Sequence, residues 1–163
     1  MIKIATIASQ IGVTPEEVEK EIRRSLLPLY PRHYWKKTWS NALFNKSVPA
    51  VFGEALIEKD NYFRGKLSEP PKGEGHVPLS LNRIPGIYFL WDEDKITYIG
   101  RTLNVIERIG GHVDKQFTKF SFITTPRSEI ELMELYYICK YLPRDNRTGC
   151  DRIYILRGLI RCL

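Results

Sequence analysis

The stretch PGIYFLWDEDKITYIGRTLNVIERIGGH, residues Pro85–His112, decides the fold. Gly86 to Trp91 is rich in β-branched and aromatic residues, Asp92 to Lys95 makes a polar turn, and Ile96 to Ile99 is a second such run. Two short apolar runs around a polar turn predict a β-hairpin. Asn104 followed three residues later by Glu107 marks a helix start, with Val105, Ile106 and Ile109 as its apolar face.

Downstream, Lys119 to Thr124 (KFSFIT) alternates as a third strand. Pro126 and Ser128 then open a second helix, with Glu131 three residues on as a capping box, and Pro143 stops it after Leu142. The order β-β-α-β-α predicts a small α/β sandwich, of the α+β class, with one face of the sheet covered by helices. At about 100° per residue, Glu134 falls inside the apolar stripe of Ile130, Ile138 and Tyr141. An ionised carboxylate there needs a cation, a strong donor or a wet cleft; an edge position paired with an arginine is the structural alternative.

Upstream, Ile4, Ile7, Ala8 and Ile11 keep helical spacing and Gly12 ends the run. Thr14, Pro15 and Glu17 form a cap, a first helical residue and a capping box for a helix whose apolar face is Val18 and Ile22. The pair resembles a helix-turn-helix. Its second helix opens with Glu16, Glu17, Glu19 and Glu21, which repel phosphates, so packing or a protein partner fits this pair better than groove reading. The segment Tyr30 to Trp39 interleaves aromatics with Arg32, Lys36 and Lys37, a composition that suits nucleic-acid contact or a snorkelling helical surface. Asn41 to Arg64 is a weaker helical region, and residues 68–80, rich in Pro and Gly, read as a linker. The expected division is a helical domain over 1–67, the linker, and a second domain over 81–163.

The 163 residues carry a net charge of +6 and 43% apolar residues. That allows a sizeable core and suits a polyanionic partner without requiring one. Three cysteines without CxxC spacing oppose a disulfide framework or structural zinc and favour a reducing, cytoplasmic setting. No signal peptide and no apolar run near ~18 residues is visible, so no membrane association is expected.

Over Arg83 to Asn146 the chain resembles the GIY-YIG nuclease family, whose two defining tripeptides stand here as Gly86-Ile87-Tyr88 and Tyr98-Ile99-Gly100. Arg108 lies ten residues after Tyr98, as the family's helix arginine does, and His112 four further on. Glu134, Pro143 and Asn146 reproduce the spacing of its late glutamate, proline and asparagine. The resemblance implies a three-stranded antiparallel sheet flanked by helices and hydrolysis of a phosphodiester with one divalent metal, Mg²⁺ or Mn²⁺, held by Glu134. It implies Tyr88 or Tyr98 as the acceptor of the attacking water's proton and Arg108 as the transition-state donor. His112 would tune a tyrosine, Asn146 would orient the site, and Arg101 would meet phosphate. Gly110-Gly111 departs from the pattern: a helix ending at Gly110 would carry His112 off the face of Arg108.

The expected function is therefore a metal-dependent DNA endonuclease, one site per chain and so a nicking activity, as a monomer or dimer. The alternatives are a catalytically weak nucleic-acid-binding module, a ribonuclease acting on RNA, and an adaptor that meets a protein through the N-terminal helices.

Overall fold

The structure, a computed structural model, describes residues 1–26, 46–48, 51–73, 82–112, 114–146 and 150–163. The chain forms two compact units, one of residues 1–65 with 151–163 and one of residues 66–150.

The first unit begins with β1 (Ile2–Lys3), α1 (Ile4–Ile11) and α2 (Pro15–Leu26). Strand β2 (Ser47–Val48) pairs antiparallel with β1, and α3 (Val51–Lys66) follows. Gly12, at φ 80°, closes α1 in the left-handed conformation that favours glycine. The capping box of α2 forms as expected: the Thr14 N–H donates to Glu17 at 2.8 Å, and the Glu17 N–H donates to Thr14 Oγ1 at 3.2 Å.

Ile7, Val18, Ile22, Phe52 and Leu56 are buried in this unit's core. The last helix, Asp151–Cys162, packs on α1 and α2 and adds Ile153, Leu156 and Leu159 to that core. Its Arg152 donates to Glu21 at 2.8 Å. Two expectations change here. The second compact unit stops at residue 150, since the apolar face of 151–163 is covered by the N-terminal helices. Glu21, read among the acids of the second helix that would face and repel phosphates, is buried between Ser25 and Arg152.

The second unit is mixed α and β, built on a three-stranded antiparallel sheet. Its strands are β3 (Gly86–Asp92), β4 (Lys95–Thr102) and β5 (Lys119–Thr124), in the order β4-β3-β5. Helix α4 (Val105–Gly110) follows β4, and α5 (Ile130–Tyr141) follows β5; the last helix is then α6. This matches the element order read from the sequence.

The central strand is buried from Gly86 through Leu90. Tyr88 and Leu90 face α4 and pack with Val105, Ile109 and Phe120, while Phe89 on the other face meets Tyr137 of α5 edge-on at 5.1 Å. Leu90 pairs with Tyr98 but Trp91 pairs with Ile96, so Thr97 is the extra residue of a bulge. The bulge keeps Tyr98 on the Tyr88 face, because a one-residue slip would turn every later side chain of β4 over.

The expected linker is in part a built segment. The Lys66 ammonium meets Glu129 at 2.6 Å, the Ser68 N–H donates to Tyr137 Oη at 3.2 Å, and Glu69 accepts from Tyr141 Oη at 3.1 Å. Residues 66–69 are thus fastened along α5; residues 74–81, with His76, lie outside the described residues. The Ser128–Glu131 capping box does not form. Helix α5 starts at Ile130 behind a turn, without a side-chain cap, and Glu131 extends toward Arg101 at 3.7 Å.

Among the described residues no helix is long and apolar enough to cross a membrane.

Candidate active site

The site grows from the edge strand β4. Among the described residues no strand lies beside its outward backbone groups, and an uncapped edge would be open to pairing with another chain. They are met one by one from α5 and the turn after it. The Thr97 carbonyl accepts from the Asp145 N–H at 3.0 Å. Asn146 clasps Ile99 twice, its Oδ1 accepting from the Ile99 N–H at 2.8 Å and its Nδ2 donating to the Ile99 carbonyl at 2.7 Å. The Arg101 N–H donates to Glu134 Oε1 at 3.1 Å.

Asn146 thus stands in for one residue of a missing strand, between Tyr98 and Gly100. The spacing from Glu134 to Asn146 has its cause here. Leu142, at φ 48°, ends α5, and the turn through Pro143 closes with the Asn146 N–H on the Pro143 carbonyl at 3.2 Å. That turn lays residues 145 and 146 against β4.

Glu134 is half-buried on α5, with its Oε2 3.4 Å from Arg101 Nε. Burial pushes its carboxyl above the ordinary value, against the pull of the Arg101 guanidinium and N–H. Arg101, expected to meet phosphate, is held between Glu134 and Glu131.

On the inner side, Tyr88 is fully buried, and its Oη lies 2.6 Å from His112 Nε2. Arg108 Nε donates to the same oxygen at 3.3 Å. Burial raises the Tyr88 phenol well above its usual range, more than Arg108 lowers it, so Tyr88 is a neutral donor. Burial first, and then Arg108 and Lys115, hold His112 below its ordinary value, which leaves a neutral imidazole to accept that proton. Helix α4 does end at Gly110, as the glycine pair predicts, yet His112 is not lost. A tight turn, with the His112 N–H on the Ile109 carbonyl at 3.2 Å, carries the chain inward, and the His112 ring lies 5.4 Å from that of Tyr88 and 5.3 Å from that of Tyr98.

The two tyrosines, 6.0 Å apart between ring centres, differ in access. Tyr88 is enclosed, whereas Tyr98 lines an open cleft of about 950 Å³ together with Glu134, Asn146, Asp145, Arg144 and Lys115. Of the residues expected to act, Tyr88, Tyr98, Arg101, Arg108, His112, Glu134 and Asn146 come together in this unit. Arg32, Lys36 and Lys37 lie outside the described residues. Sequence reading passed over Lys115, whose Nζ sits 4.4 Å from the Tyr98 ring centre. Only one charge in a polar loop announces it.

Among the described residues no three His, Cys, Asp or Glu side chains gather as a metal cage. The expected donor is the Glu134 carboxylate, in a water-accessible cleft that Asp114 and Asp145 also line; this fits Mg²⁺, an ion that keeps several waters and takes one or two carboxylates with substrate phosphate. A carboxylate that burial disfavours in its charged form gains from a cation beside it.

No family model, curated protein or solved structure matches the chain.

Proposed function

We propose that the chain is a metal-dependent endonuclease of the GIY-YIG type that nicks DNA. The observation that carries this reading is the meeting of Glu134 and Tyr98 on one cleft, behind which Arg108 and His112 converge on Tyr88.

In this reading Tyr98, which has access to the cleft, takes the proton of the attacking water at its Oη as its own phenolic proton passes to solvent. Tyr88, enclosed and neutral, holds Arg108 in place. Arg108 donates to the non-bridging oxygens, where charge grows as the water oxygen bonds to phosphorus and the bond to the leaving 3′-oxygen breaks. The leaving oxygen takes its proton from solvent. A divalent cation at Glu134 would supply Lewis-acid neutralisation of charge on the phosphate and the leaving oxygen. Asn146 acts through the backbone, fixing the strand that carries Tyr98.

The test is nicking of supercoiled plasmid with and without Mg²⁺ by wild type and Glu134→Gln. Wild type is expected to nick only with the metal. The variant, whose amide oxygen can still accept the Arg101 N–H, is expected to lose about 10²-fold or more of the rate while keeping duplex binding. Metal-independent cleavage, or a fully active variant, would sink the reading.

A further inference from the structure

The cleft holds a cation that the proposed chemistry leaves unused. Lys115 lies in the loop between α4 and β5, its side chain 18% exposed, with Nζ 4.4 Å above the centre of the Tyr98 ring. The other cations at the site are engaged more fully. Arg101 lies between Glu131 and Glu134, Arg108 donates to Tyr88, and Arg144 lies within 3.5 Å of Asp92 and 3.7 Å of Asp145. The carboxylate near Lys115 is Asp114 at 3.7 Å, and the Asp114 side chain is 70% exposed. An ion pair with one partner in water is weak and screened by salt, so it yields readily to a competing anion. The aromatic face meanwhile holds the ammonium at the cleft wall.

We infer that Lys115 is a substrate-binding residue, which contacts a phosphate of the cut strand beside the scissile group. This rests on the nuclease reading of the same cleft. On binding, the ammonium exchanges the exposed Asp114 carboxylate for a phosphate oxygen and releases one condensed counterion. A contact of that kind lowers the slope of log affinity against log salt by about 0.7–0.9 when it is removed, the lower figure for single strands. Loss of a purely structural lysine would leave the slope unchanged.

The experiment is fluorescence anisotropy with short labelled duplex and single-stranded oligonucleotides over a salt series, without divalent cation, on the full chain. Lys115→Met keeps the linear stem and removes the charge; Lys115→Arg keeps the charge. The inference expects the methionine variant to lose about 0.7–0.9 of slope and the arginine variant to match wild type, both with wild-type circular dichroism. A methionine variant with the wild-type slope overturns the role of Lys115 and leaves the nuclease reading standing. If wild type itself shows no salt-dependent binding to either oligonucleotide, the nucleic-acid reading falls first.

Discussion

Gly100 stands directly across the sheet from Tyr88, and the Tyr88 ring fills the space that a β-carbon at position 100 would occupy. The two tripeptides are therefore one packing unit, a tyrosine on the middle strand laid over a glycine on the edge strand. Gly86 is equally confined, with the Phe122 ring and the Ile123 carbonyl where its side chain would go.

Gly100→Ala should push the Tyr88 phenol off its bond to His112. Overpacking of this kind costs about 1–3 kcal/mol, although alanine in place of glycine in an open strand is favourable. Urea denaturation reads the loss, and nicking by the folded fraction should fall with it, because Arg108 loses its anchor.

Asn146→Asp should be worse for stability than Asn146→Ala. The aspartate keeps an acceptor for the Ile99 N–H but sets a carboxylate oxygen against the Ile99 carbonyl, where the amide now donates at 2.7 Å. Leaving that buried carbonyl opposed costs about 1–3 kcal/mol. Chemical denaturation of the two variants checks the order, and equal stabilities would refute the clasp.

Protonation of His112 should weaken the fold in acid. Its folded-state value lies below the ordinary 6.5, so the unfolded chain binds more protons and stability rises with pH across that window. The contribution is whole above 6.5 and is lost as pH falls through the folded value. Melting curves between about pH 5 and 8 should show this drop in wild type and a flatter profile in His112→Gln.

Glu134 works in the opposite sense. Its folded-state value lies above the ordinary 4.5, so the folded chain holds the proton longer and stability falls as pH rises from 4.5 through the folded value. Glu134→Gln should therefore melt higher than wild type at neutral pH, with the gap closing below about 4.5. Added Mg²⁺ should raise the melting temperature of wild type and leave the variant unmoved.

The second unit was largely legible because its signals are local. Alternation gave away the strands, the acidic turn joined β3 to β4, and the pattern of Tyr88, Tyr98, Arg108 and Glu134 marked residues that do gather. What stayed hidden depends on contacts distant in sequence. The resemblance marks Asn146 as an orienting residue, but not that the turn at Leu142 lays its amide against Ile99. Arg101 reads as a free cation until Glu131 and Glu134 rise beside it on α5. His112 looked displaced by two glycines because a helical face was the only geometry a sequence pattern could test. The apolar face of α6 does not announce which unit will cover it.

That last helix has a consequence for how the chain comes into being. The core of the first unit needs Ile153, Leu156 and Leu159 beside Ile7, Val18 and Ile22. A chain emerging from the ribosome makes α1 and α2 early, yet their partner helix arrives only after all of residues 66–150 has passed. The sheet-bearing unit, continuous in sequence, can close while the N-terminal helices still wait with their apolar faces open. A fragment of residues 1–65 alone should stay unfolded by circular dichroism, and the same fragment joined by a flexible linker to residues 151–163 should recover its helices.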